Sequence, residues 1–252
     1  MAVVCLGFPA FAAGADSLDD PGLAGKTRYD RCLSLVQRNA SAAYSAAVAW
    51  QDGDGGAASA HCEAMALVSL HRYADAAQKL DMLGRDRNVE TGQERATLFD
   101  QAGNAWVLAG QTMKADDSFT NALALAPGDP DILSDRARAR GARKDWAGAE
   151  KDLTAVLKTD PNRADLLVLR ASARHALGRK PEARADIDQA LNIYRDYPDA
   201  LLMRGEMKAE AGDGAGAVAD WQRAAAEEPN SAAAKAARAH IADAQAQAKP
   251  KK

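Results

Sequence analysis

The sequence predicts an all-α chain, a right-handed superhelical solenoid of stacked helix-turn-helix units, and three observations carry that reading. The same anchor residues recur every 34 positions. Alanine is abundant while aromatics are only 5% of the 252 residues, a composition that favours helices in close approach, since alanine loses no side-chain entropy in a helix. Finally, no stretch alternates Val, Ile and Thr in the two-residue period of a strand. Hydrophobic residues at 47% supply enough apolar surface for a buried core.

The first residues differ from the rest. Ala2 to Phe11 is apolar and Ala10-Phe11-Ala12 has the small-x-small form of a signal-peptidase site. We therefore expect residues 1–12 to be a signal peptide and 13–24 a linker. The apolar run is shorter than the roughly 20 residues that span a bilayer, so no integral membrane segment is expected in the mature chain. No Lys or Arg precedes Lys26. Either the true start lies upstream, or this is an ordinary apolar N-terminus.

Cysteine usage points the same way. Cys5 would leave with a signal peptide, and Cys32 and Cys62 would remain as one pair, as an oxidising compartment calls for. The expected location is periplasmic or secreted. The alternative is a cytoplasmic protein with two unpaired thiols buried as small hydrophobes. No C-x-x-C occurs, which argues against zinc and thiol redox chemistry.

Residues 25–95 read as degenerate helix pairs. Tyr29 to Ala40 and Ala42 to Trp50 form one pair with its anchors mostly lost. A divergent repeat follows over 57–95, with Tyr73, Ala76, Leu80 and Leu83 as second-helix anchors and five extra residues within Gly84 to Arg95. Between them Gly53, Gly55 and Gly56 with Asp52 and Asp54 read as a turn, because no twelve-residue calcium loop with a closing Glu completes.

From 96 to 229 the register runs without insertion. Ala115, Ala149, Ala183 and Ala217 form one row; Phe119, Leu153, Ile187 and Trp221 a second; Ala122, Val156, Ala190 and Ala224 a third. This triplet lays one apolar stripe along the second helix of each unit. Gly103, Ala137, Ala171 and Gly205 are the small residues of the first helix that let it approach. Pro127, Pro161 and Pro229 stop three of the second helices, while Arg195 stands in the fourth place with Pro198 just after it. Gly110, Lys144, Gly178 and Gly212 mark the turn within each pair; Lys144 is the departure. Residues 230–246 read as a capping helix with Ser231 as N-cap, and 247–252 as a basic tail.

Charges repeat as well. Arg136 and Asp152, Arg170 and Asp186, and Arg204 and Asp220 recur at a separation of 16, while the unit starting at 96 has Ala102 and Ser118 there. We expect a part-buried ion pair joining the two helices of each unit. Coincidence in a chain that is 27% charged is the rival reading.

These small, bulky, small and proline anchors resemble the tetratricopeptide repeat, a helix-turn-helix unit of 34 residues. The resemblance covers four units, 96–129, 130–163, 164–197 and 198–229. It implies a superhelix whose concave wall is lined by the first helices. By register that wall shows Asp100, Gln101, Asn104, Asp131, Asp135, Arg138, Asp165, Val168, Leu169, Ser172, His175, Leu202, Met203, Glu206 and Glu210. It is acidic, with an apolar patch toward the C-terminal end, and suits a basic, partly apolar protein segment. Some members of the family grip a terminal carboxylate with Lys, Asn and Arg. Asn104 matches one such place, but Asp100 stands where the Lys is needed, so that mode is not expected here.

Other functions find little support. Net charge is −3 and the sequence pI near 5.8, with Lys249-Pro250-Lys251-Lys252 the only basic cluster, so nucleic acid is not an expected partner. His61, His71, His175 and His240 are scattered without metal-ligand spacing, and no phosphate-cradling glycine motif, G-x-S-x-G or H-E-x-x-H occurs. No cofactor, metal or catalytic residue is expected. The reading is a non-enzymatic scaffold holding a protein partner in the cell envelope. A self-associating structural module and a cytosolic adaptor are the alternatives.

Overall fold

The computed structural model describes Leu18, residues 27–89 and residues 91–247. The expected signal peptide, the linker apart from Leu18, and the tail beyond Gln247 lie outside the described residues. Thirteen α-helices and no strand occur among the described residues. They divide into two compact units, one up to Pro127 and one from Gly128. The first holds α1 (Arg28–Arg38), α2 (Ala40–Gln51), α3 (Gly56–Ser69), α4 (Tyr73–Arg85), α5 (Gly92–Leu108) and α6 (Thr112–Leu125). The second holds α7 (Pro130–Ala142), α8 (Trp146–Thr159), α9 (Ala164–Ala176), α10 (Lys180–Ile193), α11 (Pro198–Glu210), α12 (Gly214–Glu227) and α13 (Ala232–Gln247).

Local chemistry starts these helices. Thr27 with Asp30, and Thr91 with Glu94, close reciprocal capping boxes at α1 and α5. Asp129 caps α7 ahead of Pro130, whose missing N–H is needed by no intrahelical bond at that position. Asp145 and Asp213 accept from Gly148 N and Gly216 N at the starts of α8 and α12. Ser231 Oγ accepts from Ala234 N at 3.0 Å, at the start of α13.

The turn inside each helix pair needs a left-handed residue. Gly110, Gly178 and Gly212 take φ of 72°, 78° and 85° there, and Lys144 takes 65°. His71 at φ 58° turns the α3–α4 pair, a backbone conformation that disfavours a side chain with a Cβ.

Apolar stripes then meet. In α6, Ala115, Phe119 and Ala122 are all buried, as are Ala149, Leu153 and Val156 in α8. The same holds for Ala183, Ile187 and Ala190 in α10, and for Ala217, Trp221 and Ala224 in α12. Burying a side chain the size of Phe119 or Ile187 contributes about 1.5–3 kcal/mol. Small partners make the approach feasible: a Cβ on Gly103 would lie 2.5 Å from Phe119 Cε1. At the N-terminal end a separate core gathers Cys32, Leu35 and Val36 of α1 with Ala43, Ala47, Trp50, Cys62, Ala66 and Leu18. Within it a disulfide joins Cys32 to Cys62, tying α1 to α3, and both cysteines are fully buried.

Buried charge is handled in pairs. Arg136, Arg170 and Arg204 each grip an aspartate of the following helix with two parallel N–H donors, the closest distances being 2.8, 2.7 and 2.7 Å to Asp152, Asp186 and Asp220. Each carboxylate takes a second cation one turn along: Arg140, Arg174 or Lys208. Such bidentate forks satisfy most of the oxygen lone pairs that burial would otherwise strand. Asp220 shows the balance. Burial pushes its carboxyl up, but hydrogen bonds from Arg204 and Lys208 outweigh that and hold it below the ordinary range.

The unit with Ala102 and Ser118 solves the same problem differently. Asp81 reaches in from α4, and its carboxylate accepts from Trp106 Nε1 and Ser118 Oγ, both at 2.8 Å.

Candidate partner-binding faces

In the second unit α7, α9, α11 and α13 touch in succession, forming one row of first helices. Between α9 and α11 lies a cavity of about 260 Å³, lined by Val168, Ser172, His175, Asp199, Leu202, Met203 and Glu206. Val168 and Met203 are its buried floor and Leu202 is half-buried on its wall. Ser172 bridges the two helices: its hydroxyl donates to Val168 O at 3.0 Å and lies 3.4 Å from Met203 Sδ. Leu169 faces away from this cavity, into a neighbouring one between α7, α8 and α9 that it shares with Arg138 and Ser172.

The carboxylates of this row are mostly engaged. Arg138 Nη1 lies 2.8 Å from Asp135, and its Nη2 lies 3.6 Å from Asp165. Arg163 binds Asp165 through two bonds of 3.0 and 2.9 Å, and those bonds hold the carboxyl below its usual range. Glu210 accepts from Lys180 and His175, both at 2.9 Å, and is likewise lowered. Glu206 meets His240 at 3.2 Å, and that ring stacks on Trp221 with centroids 4.8 Å apart. Asp131 and Asp199 are exposed and, among the described residues, form no ion pair. The row therefore offers isolated negative points around an apolar floor rather than a continuous acidic strip.

The first unit has its own face, which the sequence reading covered only with Asp100, Gln101 and Asn104. Asn104 Nδ2 donates to Asp100 at 3.5 Å. Gln101 lies instead in a cavity of about 410 Å³ with Tyr29, Ala57, Ala58, His61, Val89, Glu94, Thr97 and Leu98. Tyr29, on α1, places its hydroxyl 2.6 Å from His61 Nδ1, and His61 Nε2 lies 2.7 Å from Gln101 Oε1. Because an amide oxygen only accepts, the ring proton belongs on Nε2 and Nδ1 accepts from the tyrosine. Burial pushes the Tyr29 hydroxyl up, so it remains the donor. Three helices are thus linked by one relay, seated beside the Cys32–Cys62 bridge.

Tyr29 and His61 were not among the expected groove residues. His61 lies 40 residues before Gln101, which is neither one 34-residue repeat nor that repeat plus the five-residue insertion, so no fixed step connects them. Among the described residues no group of His, Cys, Asp and Glu could hold a metal ion, and no helix is long and apolar enough to cross a membrane.

No family model matches the chain, and no curated protein matches it. Solved structures do. MamA 41-end from Desulfovibrio magneticus RS-1 superposes with a TM-score of 0.60 at 17% identity, covering 68% of this chain and 94% of that one. A tetratricopeptide repeat protein from Parabacteroides merdae gives 0.57 at 14% identity over 88% of this chain and 86% of its own. YrrB, described as a tetratricopeptide protein with an unusual peptide-binding site, gives 0.57 at 18% identity over 76% and 96%. At these identities the likeness concerns architecture. The chain is an all-α helical-repeat solenoid with the fold of the tetratricopeptide-repeat proteins.

Proposed function

We propose that this protein is a non-enzymatic scaffold that seats a segment of a partner protein on the first-helix row of its second unit. One observation carries the reading: the α9–α11 cavity has an apolar floor of Val168 and Met203, a half-buried Leu202, and the carboxylates of Asp199 and Glu206 at its edge. A segment with an apolar side chain flanked by Lys or Arg is complementary to that arrangement. The peptide-binding site for which YrrB is described gives the architecture a precedent.

We place the scaffold in an oxidising, exported location. The support is the buried Cys32–Cys62 bridge, which a reducing cytosol does not sustain, together with the apolar Ala2 to Phe11 run and its Ala10-Phe11-Ala12 site. Mass spectrometry of the mature protein tests the location: export gives a start near Ala13 and a linked cysteine pair, whereas an intact N-terminus with free thiols removes it. Binding is tested by co-purification from cells with wild type and Leu202→Glu. A partner retained by wild type and lost from a variant with an unchanged melting midpoint supports the seat. Equal recovery by both proteins places the interaction elsewhere.

A further inference from the structure

The turn after α10 departs from its neighbours. Where Pro127, Pro161 and Pro229 end other second helices, Arg195 stands, 34 residues after Pro161. A second departure sits beside it. Gln189 Nε2 donates to the carbonyl of Pro161 at 2.9 Å, and one repeat later Arg223 Nη2 donates to the carbonyl of Arg195 at 3.1 Å. The backbone contact is kept, while two neutral side chains have become two guanidiniums. With Arg204 they line an open cavity of about 290 Å³, together with Asp188, Leu191 and Asn192.

The charges there do not cancel. Arg204 and Lys208 share Asp220, Arg223 holds Asp196 at 2.5 Å, and Arg184 holds Asp188 at 3.1 Å. Arg195 is exposed and, among the described residues, has no ion-pair partner. The charged residues lining the cavity, counted with their ion-pair partners, are three carboxylates and five cations, an excess of two positive charges. Arg204 has given Nε and one terminal nitrogen to Asp220, and Arg223 has given one terminal nitrogen to Asp196 and the Arg195 carbonyl. The remaining N–H groups of both, and the whole fork of Arg195, are left for another acceptor.

We propose that this cavity is a binding site for a phosphoryl dianion, carried either by free phosphate or by a phosphomonoester on a partner. A phosphoryl group bears about −1.5 to −2 at pH 7 and three acceptor oxygens, which matches the local excess and the forked donors. A carboxylate supplies one charge and leaves half the excess standing. Asp188 opposes an anion, and its own bond to Arg184 takes up that charge at the cavity's edge. The site lies apart from the α9–α11 cavity, since only Arg204 belongs to a first helix.

The chain supplies the control. Arg195→Pro combined with Arg223→Gln installs the residues that the preceding step already carries at Pro161 and Gln189, so the double variant keeps a combination this fold accommodates. In chloride buffer, inorganic phosphate, phosphoserine and acetate are titrated while the Arg Nε–H resonances are followed by NMR. The expected result is saturable shifts at Arg195 and Arg223 with phosphate or phosphoserine, and affinity weakened about tenfold or more in the double variant. Tighter binding of phosphoserine than of inorganic phosphate identifies an esterified ligand; the reverse identifies the free ion; either supports the site. No saturable shift with both phosphates, acetate binding as tightly as they do, or undiminished binding by a folded double variant overturns it. Should the variant fail to fold, the wild-type resonances decide alone.

Discussion

Lys79 Nζ sits 2.5 Å from Glu63 Oε2, and the pair stands at the two places that Arg136 and Asp152 hold in a later unit, with the signs exchanged. Lys79 follows Ala76 by three residues as Asp152 follows Ala149, and each partner lies sixteen residues earlier. The fold therefore needs a matched pair between the two helices more than it needs a particular sign. Breaking one side strands a buried charge, whereas removing both does not. Asp186→Ala leaves Arg170 without its acceptor, while Arg174 keeps Glu150 at 3.0 Å, and is expected to cost about 3 kcal/mol. Asp186→Ala with Arg170→Ala should fall short of the summed single losses by about 1 kcal/mol or more in denaturant unfolding. Additive losses would argue against coupling.

The same network sets an acid limb. Hydrogen bonds from Arg204 and Lys208 lower Asp220 against the opposing effect of burial, and those from Arg163 lower Asp165. A carboxyl whose folded value is depressed contributes stability above its unfolded value, and that contribution is lost as pH falls through the folded one. Stability should thus hold near neutrality and decline from about pH 4 downward. Asp220→Asn should lower the midpoint at neutral pH and flatten the acid decline. A parallel decline in variant and wild type would sink the assignment.

What was legible in the sequence was whatever repeats at a fixed step. Phe119, Leu153, Ile187 and Trp221 are all buried, and Phe119 and Trp221 lie against Gly103 and Gly205 one helix away, a local relation that periodicity displays directly. The Arg136–Asp152 type of pair was visible for the same reason. Three things were not. Asp81 fills the place left by Ala102 and Ser118 from the preceding pair, 37 residues before Ser118 and outside the uninterrupted register. The Tyr29–His61–Gln101 relay crosses helices whose anchors are lost and an insertion that shifts the step. The engagement of Asp135, Asp165 and Glu210 by Arg and Lys side chains, and of Glu206 by His240, depends on side-chain reach, so an acidic row in the sequence becomes a row of mostly partnered carboxylates in space.

The disulfide yields a prediction about the N-terminal end alone. Cys32 and Cys62 are separated by 30 residues and both are fully shielded from solvent. Cross-linking a loop of that length stabilises by roughly 3–4 kcal/mol in the chain-entropy model. Cys32→Ser with Cys62→Ser should lower stability by about that amount, and amide exchange should rise in α1 and α3 while α9 and α10 keep their protection. In the wild type, dithiothreitol should act slowly without denaturant, because the sulfurs are reached only after opening. Fast reduction of the native protein, or uniform loss of protection, would contradict this account.

Gly103 and Phe119 test how tightly a helix pair is closed. Within a helix, Ala is favoured over Gly by about 1 kcal/mol, so propensity alone predicts that Gly103→Ala stabilises α5. Packing predicts the opposite, since the new Cβ would lie 2.5 Å from Phe119 Cε1, and a fully buried ring has little room to move. Overpacking of this kind costs about 1–3 kcal/mol, which exceeds the propensity gain over most of its range. Gly103→Ala should therefore destabilise, and Phe119→Leu should lose about 1–2 kcal/mol through the void it leaves. Combined, the shorter side chain makes room for the new methyl, so the double variant should be more stable than the two losses predict by about 1 kcal/mol. Urea unfolding of the four proteins decides the matter: a stabilised Gly103→Ala would mean that the pair closes loosely, and that propensity rather than contact selects the small residue at this step.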